Sequence, residues 1–279
     1  MILENTIKEA SKTLKQHKII SHELDAQIIL SNILGVSKEF LLLNSDMKIN
    51  ERIKTQYNNA IKRRLKHEPV AYITGKKEFW SKNFLVNKST LVPRPETELL
   101  IYKIVKYYRN KKINVLDIGT GSGCILLSIL KELRNSRGIG LDISKNAIRT
   151  AIINSKNLKL SNRSKFIIFD IKSFNLGKYD LIVSNPPYIP SGDIRKLSLD
   201  IRNFEPLIAL NGGYDGLDLI KKVIYKSSSL LKKNGLLAIE IGNKQYLKVS
   251  KILTHHNFRE LSKIYDYKSN VRCIISTKK

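Results

Sequence analysis

A short apolar strand that two consecutive prolines interrupt constrains this chain more than any other stretch. Residues 179–190 read Tyr-Asp-Leu-Ile-Val-Ser-Asn-Pro-Pro-Tyr-Ile-Pro, and the apolar run at 181–183 predicts a buried strand. Proline has no N–H and fixes φ, so the strand cannot continue through Pro186 and Pro187. Asn185 is therefore expected at the C-terminal end of a strand, where open α/β sheets bind their ligands.

The groups around this strand end are suited to holding an NH2 group. The Asn185 side chain offers an acceptor oxygen, and no local N–H competes for the Pro186 carbonyl. Together the two oxygens can accept both hydrogens of a planar NH2 group, while Tyr188 offers a flat face for a planar substrate. The stretch predicts a site for a neutral amide or amino nitrogen. The alternative is a plain proline turn after a buried strand.

A second predicted strand runs directly into glycines. Residues 113–123 read Ile-Asn-Val-Leu-Asp-Ile-Gly-Thr-Gly-Ser-Gly, and an apolar helix follows from Cys124 to Leu133. Glycines here allow a tight turn and a close approach of the backbone to a ligand. The spacing Gly-x-Gly-x-Gly differs from the Gly-x-Gly-x-x-Gly of dinucleotide enzymes. It is typical of S-adenosylmethionine-dependent methyltransferases.

The next predicted strand lies within residues 138–144 and ends in an acid, Asp142. It follows the glycine loop by about 20 residues, where nucleotide-binding folds place an acid that accepts hydrogen bonds from ribose hydroxyls. The alternative is a helix N-cap, because a helix is predicted from Asn146 to Asn157. We favour the ribose interpretation, although both roles can coexist.

Asp170 ends a third predicted strand at 166–170, which lies near the adenine ring in such folds. Asp170 would receive the exocyclic amine, and Ile171 would cover the face of the ring. Four strands thus alternate with helices, and each has polar groups at its C-terminal end. This pattern predicts a doubly wound α/β sheet with one continuous cleft.

Helical spacing dominates residues 1–75, where four helices are predicted. Their predicted N-caps, from the second helix to the fourth, are Ser21, Ser37 and Asn50. We expect these residues to form a helical partner-recognition domain, the alternative being a bundle that only supports the fold. The pattern changes to a β-hairpin linker at 76–92. Residues 93–279 are expected to form the catalytic domain.

Beyond the proline stretch, Asp193 to Asp200 looks like a flexible insertion. The turn-rich residues 204–216 that follow are expected to form a lid or wall of the substrate site. A helix is predicted at 219–231, a strand at 236–241 and a helix at 245–255. An antiparallel pair of strands closes the sheet. In the first helix of this domain, Glu96 and Glu98 are interpreted as acids that complement the helix dipole.

The net charge of +26, with a pI of about 9.9, is the usual footprint of a nucleic-acid partner. The charge is spread along the chain, however, without a dense basic tract. The lysine excess in a chain rich in Ile and Asn fits a compositional bias as well. We weigh bias above a direct nucleic-acid site and do not expect direct nucleic-acid binding. A partner already bound to RNA would also suit a basic surface.

The remaining composition argues for a cytoplasmic protein. The two cysteines, Cys124 and Cys273, form no disulfide or metal pattern, and Cys124 is interpreted as a small core residue. The five histidines have no ligand spacing, so no metal is expected. The sequence shows neither a secretory signal nor an apolar run long enough to span a membrane, so no membrane role is expected. We expect a monomer.

Several motifs occur together in the same order as in one known family. They are residues 68–75, 93–98, 117–123, 184–189, 204–206 and 213–217. Through them the chain resembles the release factor glutamine methyltransferases, the PrmC or HemK family, over nearly its whole length. Asn-Pro-Pro-Tyr alone is shared with adenine-N6 DNA methyltransferases and some RNA enzymes. The helical front domain and Pro-Arg-Pro-Glu-Thr-Glu at 93–98 are the features that favour the release factor glutamine methyltransferases over these other enzymes.

The resemblance implies a Rossmann-like class I methyltransferase sheet and a specific reaction. S-adenosyl-L-methionine would methylate the side-chain nitrogen N5 of the glutamine in the Gly-Gly-Gln motif of class-1 peptide-chain release factors, leaving S-adenosyl-L-homocysteine. Family members often carry an aromatic residue where this chain has Ile171. The cofactor residues implied are Gly119, Thr120, Gly121, Ser122, Gly123, Asp142, Asp170, Ile171 and Asn185. The glutamine would be held by Asn185, Pro186, Pro187 and Tyr188.

Two rival classes use the same residues differently. A nucleic-acid methyltransferase would grip adenine N6 with Asn185 after flipping the base. The basic charge favours this class slightly, and the lack of a recognisable DNA-reading domain counts against it. A non-catalytic binding module is the second rival. The intact glycine loop, Asp142 and Asn185 argue against that.

Overall fold

The computed structural model describes residues 2–278 of the 279-residue chain, which divides into two compact units. The first unit comprises the chain up to Lys76 together with Ser198–Phe204. The second comprises Lys77–Leu197 and the chain from Glu205 onward. Most of the hairpin at 76–92 therefore belongs to the second unit. Ser198–Phe204 belongs to the first unit, although the sequence placed it in the catalytic domain expected at residues 93–279.

The helices and strands expected from the sequence occur in the expected order, together with two short helices that were not predicted. The helices are α1 (Leu3–Gln16), α2 (His22–Leu34), α3 (Lys38–Leu43), α4 (Glu51–Leu65), α5 (Val70–Thr74), α6 (Glu96–Tyr107), α7 (Cys124–Glu132), α8 (Lys145–Asn157), α9 (Leu199–Phe204), α10 (Asp218–Leu230) and α11 (Tyr246–His255). The strands are β1 (Lys76–Phe79), β2 (Lys82–Leu85), β3 (Asn114–Ile118), β4 (Arg137–Asp142), β5 (Ser164–Ile168), β6 (Tyr179–Ser184), β7 (Leu231–Glu240), β8 (Phe258–Tyr265) and β9 (Val271–Lys278). None of the helices within residues 2–278 is both long and apolar enough to cross a membrane.

Two of the three predicted helix caps in the first unit are confirmed. Ser37 Oγ accepts from Phe40 N at 3.2 Å, and Asn50 Oδ1 accepts from Ile53 N at 2.9 Å. Ser21 precedes α2 but does not cap it, because its ψ of 23° departs from the extended conformation that capping requires. Its hydroxyl donates to Asp25 instead. The short helix α5 was not predicted separately.

A buried ion pair lies inside the first unit. Arg64 Nε donates to Asp25 Oδ2 at 2.7 Å, and both side chains are 7% exposed. Arg64 Nη1 also donates to the Glu68 carbonyl at 3.2 Å, and Nη2 lies 3.7 Å from Asp200 of the segment 198–204. One guanidinium therefore joins α2, α4 and the inserted segment.

The second unit contains a seven-stranded sheet in the order β5-β4-β3-β6-β7-β9-β8. Strands β3 to β7 pair in parallel, and β9 runs antiparallel to both β7 and β8. The chain first builds the sheet outward from β3 to β5 and then returns to the other side of β3 for β6. Ligands bind at such a reversal point, outside the carboxyl ends of the strands. The predicted doubly wound sheet and its antiparallel closing pair are confirmed.

Alternate residues of the central strands pack into two apolar layers. Val115 faces a layer built with α6 and α7, whereas Leu116 faces one built with α10 and α11. The same alternation continues in β6, where Leu181 and Ile182 belong to opposite layers. A central strand buried on both faces reads as a continuous apolar run, which explains why β3 and β6 were recognisable in the sequence.

The structure corrects two boundaries in the second half of the chain. Strand β7 begins at Leu231, directly after α10, whereas the prediction placed its start at 236. The expected flexible insertion is helical instead, with a 3-10 segment at Ser191–Lys196 followed by α9. The predicted hairpin is confirmed, and Trp80 and Ser81 both take positive φ at its turn.

We predict that Arg64→Ala lowers the free energy of unfolding by about 3 kcal/mol, because it leaves the buried Asp25 carboxylate without its partner. Urea unfolding followed by circular dichroism would measure this change. The exposed Lys62 on the same helix provides a matched control, and Lys62→Ala is expected to change stability by less than about 0.5 kcal/mol. Equal effects of the two substitutions would contradict the assigned role of the ion pair.

Candidate active site

A cavity of about 350 Å³ lies at the carboxyl ends of β3, β4, β5 and β6, within the second unit. The predicted site residues that line it are Gly119, Thr120, Gly121, Ser122, Asp142, Asp170, Ile171, Asn185 and Pro187. Residues of the turn-rich stretch 204–216 also line it, namely Ile208 and Ala209. Three predicted site residues are not part of the lining: Gly123, Pro186 and Tyr188.

The glycine loop presents bare backbone to the cavity. Gly119 and Gly121 have φ values of +74° and +56°, and a Cβ at either position would have no protein atom within 4 Å. The loop is tied to the neighbouring strand, because Gly119 N and Thr120 N both donate to the Leu141 carbonyl, at 2.8 and 2.9 Å. Open space beside a fixed backbone is what a closely approaching ligand requires.

Gly123 has a different role from the other loop glycines. It precedes α7 with φ of +78°, and a Cβ there would lie 3.2 Å from Ala151, Leu127 and Phe166. The residue therefore allows close packing of the loop against α8 and β5. Unlike the other four residues of the loop, it is not part of the cavity lining.

Asp142 is held rigidly at the end of β4. Its Oδ2 accepts from Gly121 N and its Oδ1 from Ser144 N, both at 2.9 Å. Burial raises the pKa of this carboxyl, and the backbone N–H groups partly oppose that effect. Ser144, whose Oγ accepts from Ala147 N, caps α8. The N-cap alternative for Asp142 is therefore wrong, and its carboxylate lines the cavity.

The end of β5 contributes both polar and apolar lining. Asp170 is exposed and its Oδ1 accepts from Lys172 N at 2.9 Å, whereas Ile171 is 5% exposed. Phe169, one residue before Asp170, also lines the cavity and packs edge-on against Phe174 at 5.5 Å between ring centroids. Sequence reasoning missed Phe169, although an aromatic residue at a strand end was a usable signal.

Asn185 and Pro186 present unpaired acceptors after β6. Among residues 2–278, none hydrogen bonds to the Asn185 side chain or to the Pro186 carbonyl. Asn185 is half-buried and lines the cavity, and Pro186 is buried behind it. A polar side chain held at a strand end without a protein partner is available to a ligand.

Tyr188 is engaged by other residues of the protein through its hydroxyl and through one face of its ring. Its hydroxyl accepts from Arg272 Nη2 at 2.8 Å, and the Arg272 guanidinium lies over the ring at 5.3 Å from its centroid. The hydroxyl also lies 3.5 Å from Glu240, whose other oxygen accepts from Thr97 Oγ1 at 2.6 Å. Burial raises the pKa of Tyr188 to about 12. This buried network fixes the loop behind Asn185.

Gln245 provides a second support for the same loop. Its Nε2 donates to the carbonyls of Tyr188 and Gly216, at 3.0 and 3.2 Å, and its Oε1 accepts from Gly242 N at 2.8 Å. Three chain segments are therefore joined by one buried amide. Neither Gln245 nor Glu240 was singled out from the sequence, because their partners are distant in the chain.

Two of the motifs that carried the family resemblance meet in space. Arg94 Nη2 lies 2.6 Å from Glu205 Oε1, and the Glu205 side chain is 2% exposed. Arg94 also lines the cavity. Glu96 and Glu98 do not line it, and Glu98 accepts from Trp80 N at 2.9 Å. The interpretation of both acids as helix-start residues agrees with this placement.

Asp117 is a fully buried acid beneath the glycine loop. Thr120 Oγ1 donates to its Oδ2 at 2.7 Å, whereas its Oδ1 has no partner among the described residues. Burial raises the pKa of Asp117 to about 7, and the Asp142 charge contributes to the rise. Cys124 packs against the core as expected and also lines the cavity, and burial raises its thiol pKa to about 12.

A doubly wound sheet with a glycine loop after its first strand and an acid after its second has the fold of a class I S-adenosylmethionine-dependent methyltransferase. Residues 5–75 match the PrmC N-terminal domain, and residues 109–277 match a methyltransferase domain. The chain is 37% identical over 100% of its length to the release factor glutamine methyltransferase of Clostridium acetobutylicum, covering 99% of that protein. The chain belongs to the release factor glutamine methyltransferase family.

A further relative agrees with the family, and a solved structure agrees with the fold. The release factor glutamine methyltransferase of Bradyrhizobium diazoefficiens is 37% identical over 90% of this chain and 86% of its own length. A crystal structure of a methyltransferase from Pyrococcus furiosus superposes with a TM-score of 0.54 at 17% identity, over 79% of this chain and 98% of that one. The structural likeness supports the fold alone.

We predict that Asp117→Asn changes how stability depends on pH. Between about pH 4 and 7 the folded protein keeps a proton on Asp117 that the unfolded chain has lost, so wild-type stability falls as pH rises. The stability of the variant relative to wild type should rise by up to about 1.4 kcal/mol per pH unit in that window. Urea unfolding across pH measures this difference.

The exposed Asp46 provides the control for this measurement. Asp46→Asn should leave the pH dependence of the wild type unchanged. Parallel stability curves for Asp117→Asn and wild type would contradict the raised pKa of Asp117.

Proposed function

We propose that this enzyme transfers a methyl group from S-adenosyl-L-methionine to the side-chain amide nitrogen of the glutamine in the Gly-Gly-Gln motif of class-1 peptide-chain release factors. One observation carries the proposal: the Asn185 side chain and the Pro186 carbonyl are unpaired acceptors at the end of β6, beside the glycine-loop cavity. The full-length similarity to release factor glutamine methyltransferases supports the choice of substrate.

The cavity suits S-adenosyl-L-methionine, which supplies a methyl group attached to a positively charged sulfur. The open space beside Gly119 and Gly121 would accommodate a ligand against the backbone. Asp142 would accept hydrogen bonds from the ribose hydroxyls, because its carboxylate lines the cavity and each oxygen has a free lone pair. Ile171 and Asp170 would contact the adenine, with Phe169 as a further apolar wall. No metal is part of the proposal.

Asn185 and Pro186 would activate the substrate by orienting it. The lone pair of an amide nitrogen is delocalised into the carbonyl, so the nitrogen is a weak nucleophile. The Asn185 Oδ1 and the Pro186 carbonyl would accept hydrogen bonds from its two N–H groups. These bonds would raise the electron density on the nitrogen and direct its lone pair toward the methyl donor. Alignment and fixed dipoles of this kind account for large rate enhancements.

Proton loss needs no strong base in this scheme, because the nitrogen becomes acidic once it carries the methyl group. The nearby carboxylates have other structural roles. Asp142 is bonded to two backbone N–H groups, and the buried Glu240 accepts from Thr97. We therefore assign catalysis to Asn185 and Pro186, with Pro187 beside the substrate and Tyr188 fixing the loop.

The first unit is proposed to recognise the release factor, in agreement with its match to the PrmC N-terminal domain. The reaction would take place in the cytoplasm, where release factors act, and the enzyme would work as a monomer.

Methyl transfer from labelled S-adenosylmethionine tests the proposal. The acceptors are purified release factor, its variant with the Gly-Gly-Gln glutamine changed to Ala, and a nucleic-acid pool. Label on the wild-type factor alone supports it, and label on nucleic acid alone contradicts it.

We predict that Asn185→Ala lowers kcat by about two to three orders of magnitude, as expected when one hydrogen-bonding partner of a reacting group is removed. Affinity for S-adenosylmethionine should change by less than about threefold, so calorimetric titration of the variant serves as the second measurement. The exposed Asn243, three residues after the end of the adjacent strand β7, is the matched control. Asn243→Ala should retain full activity, and undiminished turnover of Asn185→Ala would refute the mechanism.

A further inference from the structure

One edge of the sheet in the second unit is rich in positive charge. Four segments lie at or just before the starts of adjacent parallel strands. They are 162–165 for β5, 134–137 for β4, 109–112 for β3 and 177–178 for β6. Eight of these 14 residues are Lys or Arg and none is Asp or Glu, compared with 50 Lys and Arg in all 279 residues. The residues that directly follow the same strands, 119–123, 143–144, 169–170 and 185–188, include no Lys or Arg. The starts of these strands are therefore more basic than the residues that directly follow them.

The basic entry segments line two adjoining hollows. One has a volume of about 440 Å³ and is lined by Asn110, Lys112, Arg134, Asn135, Arg137, Asn162 and Arg163. The other, of about 640 Å³, shares its Arg137, Asn162 and Arg163 lining and extends past Lys165 and Lys178. Neither hollow is lined by a carboxylate. We call the two hollows together the basic groove.

The cations of the basic groove are largely free of protein partners. Lys112, Arg134, Arg137 and Lys165 are exposed, and none forms an ion pair or a side-chain hydrogen bond with another residue in 2–278. Arg163 is half-buried and donates to the carbonyls of Leu133 and Ser136. Its position is therefore fixed.

Asp180, which directly follows the lining residue Tyr179, is already neutralised. Its carboxylate pairs with Lys232 at 2.8 Å and accepts from Asn114 N at 2.8 Å. The attraction of the groove for an anion is consequently not offset by a carboxylate of its own lining.

We infer that the basic groove binds the phosphodiester backbone of RNA. Two joined hollows suit a chain of phosphates better than a single one, and a groove lined by one sign of charge concentrates its field. Lys, Arg and Asn side chains supply the donors that commonly contact phosphate oxygens. The choice of RNA as the source of the phosphates rests on the proposed function, since the proposed substrate acts in translation.

The groove lies at the opposite end of the strands from Asn185, about 15 Å away for a five-residue strand. Bound RNA would therefore leave the carboxyl edge of the sheet open for the protein substrate. The inference explains why a protein methyltransferase carries a strongly basic face outside its catalytic cavity.

Fluorescence anisotropy of a labelled RNA hairpin, titrated with the full-length enzyme at several salt concentrations, tests the inference. The variant K112Q/R134Q/R137Q/K165Q should bind about 100-fold more weakly at about 0.1 M salt, with a salt slope smaller by about 3, as expected for four lost phosphate contacts. The control K103Q/K106Q/K248Q/K251Q removes the same charge from exposed positions on α6 and α11. It should lose less than about fivefold.

Three results would overturn the inference: no RNA binding by the wild type, equal losses in the two variants, or equal or tighter binding of a DNA duplex of the same stem sequence. Methyl transfer to free release factor by the groove variant should remain within about twofold of wild type. If RNA does not bind but methyl transfer to the release factor is intact, this inference fails and the proposed function stands. If RNA binds but no methyl is transferred to the release factor, the proposed function fails separately.

Discussion

The abrupt end of β6 is the constraint on which the active site depends. Pro186 and Pro187 prevent the strand from continuing, and this leaves the Asn185 side chain and the Pro186 carbonyl without protein partners. An unpaired buried acceptor is costly, so such an arrangement persists only where the surrounding structure holds it. The supports come from distant segments: Gln245 holds the Tyr188 carbonyl, while Arg272 and Glu240 hold its hydroxyl.

Sheet order then brings this strand end to the methyl-donor cavity. Strand β6 pairs with β3, and β3 pairs with β4, so Asn185, the glycine loop and Asp142 follow three neighbouring strands. The cavity they share lies within one unit of the protein. No single motif creates it, because each strand contributes only one or two groups.

The fold and the strand ends that line the cavity could be predicted from the sequence because they follow from local patterns. Apolar runs mark β3 and β6, the glycine spacing marks the loop, and acids mark the ends of β4 and β5. The roles of Gly123 and Tyr188 could not be predicted, because they depend on Phe166 and Arg272 packing against them. Likewise, no local pattern indicates that Ser198–Phe204 belongs with the helical unit.

The same limits apply to charge. The total charge of +26 says little about function, whereas the positions of the charged residues relative to the strands distinguish one edge of the sheet from the other.

The most direct measurement of the central claim is the site of the transferred methyl group. After reaction with wild-type enzyme, mass spectrometry of release-factor peptides should find one added methyl on the side-chain nitrogen of the Gly-Gly-Gln glutamine. A methyl group on any other residue, or an unmodified glutamine after complete incubation with active cofactor, would contradict the account.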